Sequence, residues 1–185
     1  MLRNSSQQYG WLSILFHWLS AVIVIGMFAL GWWMVDLNYY SPWYTDAPHY
    51  HKSVGILLIA LTTARVAWKV SQTSPEAIGN KWEKKGAKMA HVLFYLLIFT
   101  MFFSGYLIST ADNRGIEVFN WFTLGSIGRL FEDQADTAGF VHEYLAYTLI
   151  GLASLHALAA FKHHFINNDT TLVRMLTLKQ QKEQK

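Results

Sequence analysis

Four long apolar blocks alternate with polar connections along this 185-residue chain. The blocks cover residues 11–35, 53–70, 89–109 and 141–161. A helix crosses the apolar core of a bilayer in about 20 residues, so each block predicts a membrane span, including the shortest, which contains Arg65. The pattern predicts an all-α integral membrane protein, a single domain over residues 1–185 built as a four-helix up-and-down bundle, with a tail over residues 165–185.

Composition supports a membrane protein and excludes several kinds of site. Hydrophobic residues make up 52% of the chain and charged residues only 15%, against about a quarter in soluble domains. The 8 Trp, 9 Tyr and 12 Phe suit bilayer interfaces or a flat cofactor. The absence of cysteine excludes disulfides, iron–sulfur clusters and covalent c-type haem attachment. No basic run with interleaved aromatics indicates a nucleic-acid partner.

Basic residues predict the orientation of the spans. They concentrate in the connection between spans two and three and in the C-terminal tail: Lys69, Lys81, Lys84, Lys85 and Lys88, then Lys162, Arg174, Lys179, Lys182 and Lys185. The other two connections are acidic, with Asp36 and Asp46 in the first, and Asp112, Glu117, Glu132, Asp133 and Asp136 against Arg114 and Arg129 in the second. The positive-inside rule therefore places both termini in the cytoplasm. The first span is expected to be retained, because no small-residue cleavage site follows it.

Two polar segments have features of their own. Residues 118–131, between spans three and four, are aromatic and apolar enough either to lie on the membrane surface or to pack over the mouth of the bundle. The tail from Asn167 is polar after Leu176 and is expected to fray.

Histidines are the notable ionisable residues in the spans, where each such group is a candidate functional residue. Five of the eight lie in the spans or at their ends: His17, His51, His91, His142 and His156. His142 and His156 are separated by 14 residues, which on a helix leaves them about 40° apart in direction and about 21 Å apart along the axis. One helix therefore offers two ligands on one face, one near each membrane surface.

Each of these two histidines has a candidate partner at its own depth. His51 begins span two at the outer face, level with His142. At the inner face His156 is level with both His17 and His91, and the spacing leaves these two alternatives open.

The 14-residue interval recurs in the other spans. It leads from His51 to Arg65, a buried cation at the inner depth that lacks a carboxylate partner in the spans and that a haem propionate would satisfy. It also leads from His17 to Gly31 and from His91 to Gly105, where a missing side chain would let a macrocycle approach the backbone. Gly55, one turn after His51, is a third such position.

Pairs of histidines without nearby carboxylates favour haem over zinc, because zinc takes three or four protein ligands whereas a porphyrin supplies four of its own. Two axial histidines also close the iron to oxygen and favour electron transfer. A metal-ion or proton transporter that uses the intramembrane histidines is the alternative from another class, and it predicts more acidic residues inside the spans than this chain has.

The sequence resembles the bacterial di-haem cytochrome b561 family of inner-membrane proteins over nearly its whole length. The matching stretches are Phe16-His17-Trp18, His51-Lys52-Ser53-Val54-Gly55 with Arg65, Ala90-His91, and His142 and His156 followed by the run from Lys162 to Leu172. The resemblance implies two b-type haems with bis-histidine ligation, the inner one held by His17 and His156 and the outer one by His51 and His142. His91 then becomes a hydrogen-bond partner of a propionate or solvent, or a helix-end histidine.

The resemblance also implies a function: electrons pass between the quinone pool, such as ubiquinone, and a periplasmic redox partner. Some members resemble superoxide oxidases, which reduce ubiquinone with electrons from superoxide. The acidic outer loops argue against the capture of that anion, although Lys52 adds a local positive charge beside the outer haem. His163 and His164, beyond His156, either protonate a quinone or anchor the span to lipid headgroups.

Overall fold

The computed structural model describes residues 1–177, and its long helices confirm the expected all-α membrane architecture. In chain order the elements are α1 (Trp11–Met34), α2 (Asp46–Val70), α3 (Lys81–Thr110), β1 (Ile116–Val118), β2 (Phe122–Leu124), α4 (Gln134–Phe161), a π-helical turn (Lys162–Ile166) and the short α5 (Val173–Leu176). Helices α1 to α4 are each long and apolar enough to cross a membrane.

Three of the helices begin earlier than the apolar blocks. Helix α2 begins at Asp46, α3 at Lys81 and α4 at Gln134, each about two turns before its apolar block. At α3 the reason is a capping box, because the Asn80 side chain accepts from the backbone N–H of Glu83 while the Glu83 carboxylate accepts from that of Asn80. Polar residues thus extend these helices beyond the segments that hydropathy marks.

The helices pack as a bundle around a small apolar centre. Helix α1 packs on α2, α2 on α3, and α3 along α4. Leu58, Ile98 and Leu149 form the buried core halfway along the bundle. Many large apolar side chains point outward, for example Val22 and Leu155 at 66% and 65% exposure, as suits a surface in contact with lipid acyl chains.

One end of the bundle carries the hairpin of β1 and β2, and we call it the hairpin end. The strands pair antiparallel, with Val118 opposite Phe122. The hydroxyl of Ser53, fully buried on α2, donates to the carbonyl of Glu117 at 3.3 Å and accepts from the N–H of Phe119 at 2.9 Å. The hairpin is thereby attached to α2, which favours packing over the bundle mouth for this part of the aromatic segment.

At the opposite end, the tail end, both terminal segments meet the connection between α2 and α3. The N–H of Glu76 donates to the carbonyl of Ser6 at 2.9 Å, and the Arg174 guanidinium donates to the carbonyl of Glu76 at 2.9 Å. The Trp18 indole donates to the carbonyl of Met175 at 2.7 Å. The tail, which was expected to fray from Asn167, is instead held against the bundle up to α5. The rest of that expectation falls on residues 178–185, outside the described part.

Candidate metal centres

The structure brings the span histidines together at two depths. At the hairpin end the rings of His51 and His142 have centroids 6.2 Å apart. At the tail end His156 lies 6.2 Å from His17 and 5.6 Å from His91 by the same measure. Helices α2 and α4 supply the first pair, whereas α1, α3 and α4 converge on the second site.

These separations fit two imidazoles on opposite sides of one metal ion. A histidine nitrogen binds a metal at about 2 Å, so two rings that share an ion along one line have centroids roughly 6 Å apart. The histidines at both depths meet this condition. Within residues 1–177, no group of three or more His, Cys, Asp or Glu side chains is arranged to hold a metal ion. The donor sets therefore suit a group that brings its own equatorial ligands, as haem does.

The tail-end site keeps both alternatives for the second ligand. His91 is nearer to His156 than His17 is, and both lie on the second or third turn of their helices. His91 is not a helix-end residue, because α3 begins ten residues earlier at Lys81.

Two glycines face the histidine rings at the hairpin end. A Cβ added at Gly31 would lie 3.1 Å from Cε1 of His51, and one added at Gly105 would lie 3.1 Å from Cε1 of His142. Such contacts are tighter than ordinary van der Waals packing, so each ring uses the space that the glycine leaves. Gly55 differs, because its added Cβ would meet only Met27 Cε at an ordinary 3.6 Å.

A serine sets the proton position on His142. The Ser104 hydroxyl, buried on α3, donates to the carbonyl of Met101 at 3.0 Å and lies 2.9 Å from Nδ1 of His142. Because its proton is used on Met101, the oxygen accepts from His142, which places the imidazole proton on Nδ1 and leaves Nε2 free for a metal. By contrast, the buried Nδ1 of His51 has no hydrogen-bond partner within the described residues.

At the tail end Arg65 contacts the candidate ligand itself. Its Nη2 lies 3.0 Å from Nδ1 of His17. A guanidinium only donates, so Nδ1 of His17 accepts here and the ring proton is on Nε2. His17 therefore has the opposite tautomer to His142. To bind a metal through Nε2, His17 would need its proton on Nδ1, and Arg65 would then need another hydrogen-bond acceptor. A carboxylate is the natural one.

Two further sequence candidates lie outside these contacts. Lys52 is exposed on α2 beside His51. His163 lies in the π-helical turn, where its Nδ1 is 2.6 Å from a carboxylate oxygen of Asp169. Burial acts to raise the pKa of Asp169, but hydrogen bonds from Thr171 and His163 outweigh it and hold the pKa below its usual value. Together with the neighbouring Lys162–Glu83 ion pair, this contact favours a role for His163 in fastening the tail.

Sequence reasoning missed Ser104, Lys69 and Tyr95 as site residues. Arg65 Cζ and Lys69 Nζ lie 5.8 Å and 5.1 Å from the centroid of the Tyr95 ring, within reach for cation–π contacts. Lys69 contributed to the predicted orientation alone, although its spacing of four from Arg65 places both residues on one helix face. Ser104 carried no comparable signal, because its partner is 38 residues away.

The chain is similar to known proteins over most of its length. The sequence model described as prokaryotic cytochrome b561 matches residues 8–178. The chain is 48% identical to cytochrome b561 homolog 2 of Escherichia coli K12, over 94% of this chain and 93% of the relative. It is 30% identical to the probable superoxide oxidase CybB of Yersinia pestis, over 94% and 98%. It is 24% identical to cytochrome b561 homolog 1 of E. coli K12, over 88% and 93%.

A match over most of the chain, to a family model and to a relative at nearly half identity, establishes the family. The apolar helices agree with a multi-pass bacterial membrane protein, and the family implies that haem b is bound. It also favours a cytochrome over the transporter that the sequence left open. The chain belongs to the prokaryotic cytochrome b561 family and is a membrane b-type cytochrome.

Proposed function

We propose that this cytochrome holds two haems, one between His51 and His142 and one between His17 and His156, and transfers electrons between the quinone pool and a periplasmic redox partner. The observation that carries the proposal is the equal separation of 6.2 Å in the two histidine pairs. Along α4 the two pairs are about 21 Å apart, so the sites lie toward opposite faces of the membrane. Bound there, haem supplies a one-electron couple at its iron.

The protein's contribution would be to hold each haem through two histidines. Iron bound by two imidazoles would have no position left for oxygen, which favours electron transfer over oxygen chemistry. Ser104 presents Nε2 of His142, and Gly31 and Gly105 leave the space that the two hairpin-end rings occupy. We assign to Arg65 a propionate of the tail-end haem, because its contact with His17 is incompatible with metal binding through Nε2.

We propose that the tail end of the bundle faces the cytoplasm. Most of the lysines belong to the last turn of α2, the first turns of α3 and the tail, and the opposite loops are acidic. The hairpin end would then face the periplasmic partner, and the tail-end haem would lie on the cytoplasmic side.

A haem count tests the cofactor assignment. The reduced-minus-oxidised spectrum of the purified protein is expected to show two low-spin b haems per chain. His142→Ala should remove the hairpin-end haem and His156→Ala the other, whereas His49→Ala, a change next to the site but outside both pairs, should keep both. Retention of two haems in either ligand variant contradicts the depth assignment.

Superoxide:ubiquinone oxidoreduction is the second candidate, favoured by the name of the relative at 30% identity. Against it, the hairpin-end loops are net acidic, and Arg114 is further compensated by Asp112 at 3.5 Å. An acidic mouth repels the superoxide anion. If a short-chain ubiquinol reduces the haems under anaerobic conditions, the quinone-linked proposal is supported, and failure of that reduction opposes it. Formation of quinol driven by superoxide would instead identify the protein as an oxidase of superoxide.

A further inference from the structure

Two cations on α2 lie near one aromatic ring at the tail end. Arg65 and Lys69 are one turn apart, and both lie within cation–π distance of the Tyr95 ring on α3. Like charges one turn apart on a helix repel each other. Any group that both cations face and that carries negative charge offsets this repulsion, and a single neutral ring does so only in part.

No carboxylate offsets it within residues 1–177. Neither Arg65 nor Lys69 forms an ion pair in this part of the chain. Two acidic side chains of the tail end are already engaged elsewhere, Glu83 with Lys162 and Asp169 with His163. Within residues 1–177, therefore, no carboxylate pairs with either cation.

The position of the two cations favours a ligand inside the bundle. Arg65 contacts His17 at 3.0 Å, and the ring of His17 lies 6.2 Å from that of His156. An anion that bridges Arg65 and Lys69 is therefore at the edge of the tail-end metal site.

We propose that Arg65 and Lys69, held over Tyr95, form a two-point anion site that takes the two propionate carboxylates of the tail-end haem. This inference rests on the proposed function and adds Lys69 and Tyr95 to the single Arg65 contact expected from the sequence. The same cations would also accept a lipid phosphate, the other anion present at this depth. The contact of Arg65 with His17 favours the carboxylates.

Redox titration of the holoprotein tests the role of Lys69. Lys69→Gln removes a positive charge near the iron and leaves a propionate uncompensated, so the midpoint potential of the tail-end haem should fall while that of the hairpin-end haem stays the same. The His142→Ala background, which is expected to keep only the tail-end haem, isolates the signal. Lys85→Gln is the matched control, because it removes an exposed charge from α3 at the same end.

Lys69→Arg keeps the charge and should restore the potential, which separates the charge from a folding defect. An equal shift in Lys69→Gln and Lys85→Gln, or none in either, overturns the proposal. Fewer than two haems in the wild-type protein would instead overturn the proposed function on which it rests.

Infrared difference spectra separate the two sources of the anion. Haem carrying 13C at its propionate carboxyls gives redox-linked carboxylate bands that shift with the label. Lys69→Gln is expected to move these bands, and Lys85→Gln to leave them in place. If Lys69→Gln leaves the labelled bands unchanged and alters only phosphate bands that depend on anionic lipid, the site binds a headgroup and the proposal is wrong.

Discussion

The Ser104 hydroxyl lies 2.9 Å from Nδ1 of His142 while it donates its own proton to the carbonyl of Met101. It therefore acts on a candidate ligand from the side away from the metal. A partner of this kind fixes the tautomer and raises the basicity of the ligand. His51, the proposed ligand on the other side, has no such partner within the described residues. The two proposed ligands of this site thus differ in their hydrogen bonding, and the difference can be measured.

Ser104→Ala is expected to raise the midpoint potential of the hairpin-end haem. A hydrogen bond that makes the imidazole more electron-rich stabilises ferric iron more than ferrous iron, so its loss favours the reduced state. A difference of about 1 kcal/mol between the two redox states corresponds to roughly 40 mV for one electron. Potentiometric titration of both haems provides the measurement. Ser154→Ala, which removes a hydroxyl bonded only within α4, is the control, and an unchanged potential in Ser104→Ala contradicts the assigned role.

Gly31→Ala and Gly105→Ala are each expected to weaken the hairpin-end haem alone. The new methyl group meets Cε1 of a histidine at 3.1 Å, and overpacking of this kind costs ~1–3 kcal/mol, which corresponds to about 5- to 150-fold in haem affinity. The rate at which haem transfers to an excess of apomyoglobin reports the change. Gly26→Ala is a matched control on α1, since nothing lies within 4 Å of its added Cβ. Equal rates in Gly31→Ala and Gly26→Ala would show that the ring does not need the space.

The spans and the histidine depths were predictable because both follow from periodicity and length. A helix fixes the direction and height of every side chain it carries, so residues 14 apart could be placed before any contact was known. The starts of α2, α3 and α4 were not predictable in this way, since Asn80 and the other polar residues of the first turns give no hydropathy signal. Ser104, Tyr95 and the Ser53 bonds depend on contacts between helices or with the hairpin, which one-dimensional patterns do not contain.

His91→Ala and His17→Ala decide which ligand serves the tail-end haem. Family resemblance predicts that the His17→Ala protein loses this haem and that the His91→Ala protein keeps both haems. The distances favour the opposite result, because the ring of His91 lies 5.6 Å from that of His156 and the ring of His17 lies 6.2 Å from it. Low-temperature absorption and electron paramagnetic resonance spectra of the two variants distinguish a lost haem from a ligand switch. The opposite result, loss in His91→Ala only, would move the ligand from α1 to α3 and leave His17 as the partner of Arg65 seen in the structure.

Ser53→Ala is expected to loosen the hairpin without loss of haem. The substitution removes a donor to Glu117 and an acceptor from Phe119, and leaves a backbone N–H and a backbone carbonyl unsatisfied. The cost is about 1–3 kcal/mol, which raises the open population of the hairpin by about 5- to 150-fold. Chymotrypsin, which cleaves after the aromatic residues of this segment, measures the opening on the purified protein. Thr63→Ala is the control, because that exposed hydroxyl bonds only to the carbonyl of Ile59 within α2.

The same variant tests the proposed orientation in cells. In spheroplasts, external chymotrypsin reaches only segments on the periplasmic side of the membrane. If the hairpin end is periplasmic, Ser53→Ala should be cleaved there faster than Thr63→Ala, by the ratio found with the purified proteins. Protection of both variants in spheroplasts, together with rapid cleavage of Ser53→Ala in inverted vesicles, would place the hairpin end in the cytoplasm. That result would reverse the direction assigned to the two haem sites while leaving their ligands unchanged, because the pairing depends on ring distances and not on the side that each end faces.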